Sequence, residues 1–106
     1  MAASYRIITG GANVFPAEVE CALVEHHAIA DVVVIGLTDR EWGRRVHAVI
    51  QLAESSTPLT ERDVIAYAKT RLAGYKVPKT VEFIDQIPRT AATKVNRSAM
   101  VEARGG

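Results

Sequence analysis

One unbroken run, Asp31-Val32-Val33-Val34-Ile35-Gly36, constrains this chain more than any other stretch of it. Consecutive β-branched residues leave no polar face, so the run predicts a strand covered on both sides. A strand of that kind cannot stand alone. It needs neighbouring strands and packed layers, and the rest of the chain must supply them.

Val46 to Leu52 reads as a second strand, with Val46, Ala48, Ile50 and Leu52 alternating on one side. Asp39 to Arg45, polar and containing Gly43, is predicted as the loop between the two. Thr80 to Ile84 gives a third strand, alternating at Val81 and Phe83. Pro16 opens a helix at its favoured first position, with Glu18 and Glu20 near the positive end of its dipole. Val19, Ala22, Leu23 and His26 define that helix's buried face. Thr60 with Asp63 forms a capping arrangement for a second helix, which presents Val64, Ile65, Ala68 and Leu72 and stops at Gly74. A short helix from about Arg97 to Ala103 ends the chain, and a linker of small and polar residues runs from Glu54 to Pro58. Before all of these, Ile7-Ile8-Thr9, Gly10-Gly11 and Val14-Phe15 predict a small hairpin or tight loop. The order β-β-α-β-β-α-β-α defines an α+β fold. It is one small domain, with a central sheet of about three strands, helices packed against it and a short N-terminal β-hairpin. With 106 residues there is material for one core and no second domain.

Composition narrows the function. Thirteen basic against twelve acidic residues give a net charge of +1, which argues against a nucleic-acid-coating or membrane-coating role. Cys21 is the only cysteine, so no internal disulfide can form; its helical, apolar surroundings predict a buried, inert thiol. A reducing, cytoplasmic location fits, since no apolar run reaches the ~20 residues of a membrane span and the first residues lack a secretory layout. His26, His27 and His47 pair with no acid or cysteine at metal-ligand spacing, so no metal site is expected. His26-His27 suits a capping role at a helix end, and His47 is expected to point outward from its strand. No phosphate-binding glycine loop and no Ser-His-Asp arrangement can be argued.

Two segments remain unusual. Ile8-Thr9-Gly10-Gly11-Ala12-Asn13-Val14-Phe15-Pro16-Ala17-Glu18-Val19-Glu20 joins a glycine turn to a proline-opened helix and leaves backbone groups accessible to a ligand. Pro88-Arg89-Thr90-Ala91-Ala92-Thr93-Lys94-Val95-Asn96-Arg97 carries one lysine on a stretch of small residues, flanked by Arg89 and Arg97. Such a lysine can act as a mobile point charge toward an anionic centre.

These segments resemble the C-terminal domain shared by acyl-CoA synthetases, aryl-CoA ligases, luciferases and peptide-synthetase adenylation domains. The first is similar to that family's glycine turn and P-x-E-V/I-E helix start. Asp39-Arg40-Glu41-Trp42-Gly43-Arg44-Arg45-Val46 is similar to its D-x-x-x-G-x-x-V approach. Leu72-Ala73-Gly74-Tyr75-Lys76-Val77-Pro78-Lys79 is similar to L-A-x-Y-K-x-P-K, and the Lys94 segment to P-R-T-x-x-G-K. The matches run in order from about Ile7 to Arg97.

The resemblance implies a lid domain, residues 7–104, of an ATP-dependent, AMP-forming ligase that joins a fatty acid or other carboxylate to coenzyme A. A carboxylate attacks the α-phosphate of ATP and expels pyrophosphate; a thiol then displaces AMP from the acyl-AMP. In this reading Lys94 serves the first step, and Thr9, Gly10 and Gly11 line the entry of CoA. ATP, Mg2+ and CoA belong to the full-length parent, whose larger N-terminal adenylation domain is the expected partner, and the piece alone is expected to be inactive and to bind none of them. Residues 1–6 are expected to be a hinge remnant or an introduced start, with Tyr5 at the family's usual hinge position. The alternatives are a free-standing interaction module and a lid that loads a carrier protein. The family usually has glycine directly before its lysine, where this chain has Thr93. A requirement for positive φ there would cost a β-branched residue about 1–3 kcal/mol.

Overall fold

A computed structural model describes residues 5–54 and 57–106 of the chain. Part of the expected 1–6 segment and part of the 54–58 linker therefore lie outside the described residues. The elements follow the expected order: β1 (Ile7–Thr9), β2 (Ala12–Val14), α1 (Pro16–Val24), β3 (Ile29–Asp39), β4 (Gly43–Leu52), α2 (Glu61–Lys69), β5 (Thr80–Phe83) and α3 (Arg97–Ala103), with a single 3-10 turn at Gly74–Lys76.

β3, β4 and β5 form one sheet in that order, the first pair antiparallel and the second parallel. As the β-branched run demanded, β3 is packed on both faces. Val32 and Val34 face a core built with Val19 and Leu23 of α1, Val64 and Ala68 of α2, and Ile7 and Val14 of the β1–β2 hairpin. Val33, Ile35 and Leu37 face a second cluster with Val49, Ile87 and Met100 of α3. β3 is also a sheet edge, and its outward backbone is partly covered: the Val34 N–H donates to Glu20 Oε2 of α1 at 2.8 Å. Further along, the Thr38 N–H donates to the Gly106 carbonyl at 2.8 Å, so the edge that could template pairing with another chain is partly occupied.

Local chemistry explains most element boundaries. Thr60 and Asp63 make a reciprocal capping box, with the Asp63 N–H on Thr60 Oγ1 at 3.1 Å and the Thr60 N–H on Asp63 Oδ2 at 3.0 Å. α2 ends at Lys69, before the expected Gly74, where Thr70 Oγ1 donates to the Tyr67 carbonyl at 2.7 Å and competes with helix continuation. The expected 39–45 loop contracts to a three-residue turn. Asp39 Oδ1 accepts both the Glu41 and Trp42 N–H groups at 2.9 Å, so Asp39 and Gly43 can pair as the last rung of the hairpin.

Two expectations are corrected. Cys21 is exposed: the buried residues of α1 are Pro16, Val19 and Leu23, and position 21 lies on the opposite side. His47 is buried, at 7% exposure, because β4 is the central strand and neither of its faces meets solvent. Its Nδ1 lies 2.6 Å from Thr80 Oγ1 and its Nε2 lies 2.9 Å from Glu82 Oε1. Glu82 in turn accepts a two-pronged contact from Arg104, at 2.7 and 2.8 Å, tying the end of α3 to β5.

Candidate functional site

Lys94 is exposed, on a turn that is well held. The Thr90 N–H donates to the Lys94 carbonyl at 2.9 Å, the Thr93 N–H to the Thr90 carbonyl at 2.8 Å, and the Lys94 N–H to Thr90 Oγ1 at 3.2 Å. Thr93 takes φ 61°, and among the described residues it is the one non-glycine with positive φ. The glycine that the resembling family carries at this point would adopt that geometry without penalty.

The arginines flanking Lys94 are both engaged by carboxylates. Arg89 grips Asp31 at the start of β3 through Nε–Oδ2 at 2.6 Å and Nη2–Oδ1 at 2.7 Å, and its Nη1 donates to the Thr93 carbonyl at 2.9 Å. The Arg89 guanidinium holds the Asp31 carboxyl below its usual range. Arg97 Nη2 contacts Glu20 Oε2 at 3.1 Å. Burial pushes the Glu20 carboxyl up, against the opposing pull of the Val34 N–H and the Arg97 charge. After the turn, Asn96 Oδ1 accepts the Ala99 N–H at 3.0 Å and caps α3. A groove opens beside Lys94, lined among others by Tyr5, Phe15, Pro16, Arg97 and Ser98. The Arg97 guanidinium lies 5.5 Å from the centre of the Tyr5 ring.

Thr9, Gly10 and Gly11 form the other end of the same hairpin. Thr9 pairs with Ala12, and Gly10 and Gly11 take φ 57° and 85°, so the connection is a two-residue turn of the kind that needs positive φ at both positions. Its tip is clamped to the β3–β4 turn: the Gly10 N–H donates to the Trp42 carbonyl at 2.9 Å. The Thr9 side chain is buried, and its hydroxyl has no partner among the described residues. Trp42 and Lys79 join this tip, with Lys79 Nζ 4.6 Å from the centre of the indole. Sequence reading passed over both. The available signal was an indole in a polar loop; in the structure it is 42% exposed.

The structure therefore separates the candidate residues into two patches. Lys94 sits in a groove that includes Tyr5 and Phe15 at the hairpin's open end, while Gly10 and Gly11 close its other end against Trp42. Among the described residues no three His, Cys, Asp or Glu side chains gather as a metal site, and no helix is long and apolar enough to cross a membrane.

A small α+β domain with an exposed lysine on a braced turn and a separate glycine-tipped hairpin is the class that these features define. Residues 18–94 match the profile of the AMP-binding enzyme C-terminal domain. The chain is 44% identical over 91 residues to 2-succinylbenzoate–CoA ligase of Bacillus licheniformis, covering 86% of this chain and 18% of that protein. It is 45% identical over 96 residues to long-chain-fatty-acid–CoA ligase of Bacillus subtilis, covering 91% and 17%. Among solved structures, o-succinylbenzoate CoA synthetase from Bacillus subtilis, in complex with its acyl-adenylate intermediate, superposes with a TM-score of 0.82 at 39% identity over 90% of this chain and 19% of that one. The chain belongs to the AMP-binding enzyme C-terminal domain family, and the relatives that it matches over this domain are CoA ligases. It spans about a fifth of the length of these relatives.

Proposed function

We propose that this chain, over residues 7–104, is the lid of an ATP-dependent, AMP-forming carboxylate–CoA ligase and works against a larger adenylation domain. Lys94 supplies positive charge while a carboxylate oxygen bonds to the α-phosphorus of ATP and pyrophosphate departs. Charge builds on phosphate oxygens in that step, and a preorganised ammonium in a closed site stabilises it. In the second step a thiolate attacks the acyl carbon and AMP leaves. The hairpin tip at Thr9, Gly10 and Gly11 borders the thiol's path: Gly11, with nothing within 4 Å of where a Cβ would stand, lets a slender pantetheine arm pass close to its backbone. Trp42 and Lys79 beside the tip offer an aromatic face and a cation to the nucleotide end of CoA.

The observation that carries this reading is the Lys94 amine, exposed on a turn whose flanking arginines are already paired with carboxylates. Of the three cations on this segment, Arg89, Lys94 and Arg97, Lys94 is the one with no carboxylate contact among the described residues. ATP, its Mg2+ and the acyl group then belong chiefly to the partner domain, and the chain alone catalyses neither half-reaction. Titration of the isolated chain with ATP or CoA is expected to show binding no tighter than about millimolar, the regime of small or incomplete sites. Joining the chain to the larger domain of its Bacillus licheniformis relative is expected to restore thioester formation from a carboxylate, ATP and CoA. Micromolar binding or turnover by the chain alone would contradict the proposal.

A further inference from the structure

The bonds that close the Lys94 turn run within the turn itself, between Thr90, Thr93 and Lys94. Such bonds fix its shape and leave its direction relative to the sheet open. Beyond the turn, Val95 packs against the second core cluster and Arg97 meets Glu20; the turn's own backbone is tied to the sheet by Arg89. Arg89 enters the turn from its N-terminal side, holds the Thr93 carbonyl with Nη1, and spends its other two nitrogens on Asp31, 58 positions away in sequence. Asp31 belongs to β3, whose next residues Val32 to Leu37 are buried, so the far end of the brace is rigid. Asp31 Oδ1 also accepts the Val32 N–H at 2.8 Å, which fixes the carboxylate's own orientation. A planar fork with three donor nitrogens in fixed geometry can hold a carboxylate and a carbonyl at once; a lysine ammonium cannot reproduce that alignment.

We infer that Arg89, locked to Asp31, is the positioning residue of Lys94: it holds the Thr93 carbonyl and so aims the amine that follows. Arg89 touches no substrate in this scheme and acts through Lys94. The inference rests on the adenylation role proposed above for Lys94, and it adds the residue pair that sets that amine's direction.

The test uses the chain joined to the larger domain of a relative, with acyl-AMP formation and thioester formation from supplied acyl-AMP measured separately. Arg89→Lys and Asp31→Asn are each expected to slow acyl-AMP formation by about 10-fold to 100-fold, the loss typical of a reacting group misplaced by about an ångström. Thioester formation is expected to stay unchanged. In a Lys94→Ala background, Arg89→Lys is expected to cause no further loss, because a residue acting through another has nothing left to position. In the isolated chain, the backbone amides of Thr93 and Lys94 are expected to lose order in Arg89→Lys by 15N relaxation, while those of β3 keep theirs. The inference is overturned if Arg89→Lys leaves acyl-AMP formation and these amides unchanged, or if it slows the reaction equally with and without Lys94. If Lys94→Ala itself leaves acyl-AMP formation intact, the role of Lys94 falls first and the inference falls with it.

Discussion

The indole of Trp42 lies against Gly10 so closely that a Cβ on Gly10 would come within 2.6 Å of its Cε3. Gly11, the other residue of the same turn, has nothing within 4 Å of such a Cβ. Both take positive φ, so an alanine at either costs about 1–2 kcal/mol of backbone strain. Gly10→Ala must also displace the indole. Gly11→Ala is therefore expected to lower stability by about that amount and leave tryptophan fluorescence unchanged, since Trp42 is the chain's single tryptophan. Gly10→Ala is expected to lower it further and to shift the emission. Equal stability losses with unchanged emission in both variants would contradict the packing.

Thr93 bears the strain that its family avoids with glycine. Thr93→Gly is expected to stabilise the chain by roughly 1 kcal/mol, relief of the left-handed conformation outweighing the added freedom of glycine in the unfolded state. Thr93→Pro, which fixes φ near −65°, is expected to break the turn. Urea denaturation reads both effects. A loss of stability in Thr93→Gly would mean that the turn does not strain its threonine.

Acid should loosen the join between β5 and α3. Arg104 first, and then His47, hold the Glu82 carboxyl down from 4.5 to about 2. A group with a depressed folded pKa binds fewer protons when folded, so its stabilisation is present above about pH 4.5 and lost as pH falls toward about 2. Glu82 is a third exposed, and solvent screening leaves roughly 1–2 kcal/mol of this effect. Asp31 acts in the same direction through Arg89. Glu20 acts oppositely, since burial raises its pKa and its ionisation weakens the fold as pH rises past the ordinary value. Glu82→Gln is expected to be less stable than wild type at neutral pH and to lose less on acidification through that window. Parallel stability curves for the two proteins would contradict the assignment.

The fold was legible because its signals are local. The β-branched run around Val33, the proline at the start of α1 and the Thr60–Asp63 pair each announce an element through neighbouring residues. Burial of His47 was hidden because alternation along a strand reveals one face and cannot say that the other face is covered as well. Cys21 misled because apolar neighbours in sequence stand on different sides of a helix. The lysine and the glycine turn were visible as motifs, whereas their supports were not. Arg89 meets Asp31 across 58 positions and Arg97 meets Glu20 across 77, and such pairings follow only from the completed topology. Thr93 was the exception: the glycine usual at this position in the resembling family raised the question of a positive φ, and the turn displays one.

The most direct measurement is single-turnover kinetics of Lys94→Ala in the chain joined to its larger domain, with the two half-reactions followed separately. Lys94 is exposed and on a loop, so its removal is expected to change folding stability by less than about 0.5 kcal/mol. Acyl-AMP formation is expected to fall by about 10²- to 10³-fold, while thioester formation from supplied acyl-AMP continues at the wild-type rate. Equal slowing of both half-reactions, or of neither, would contradict the account.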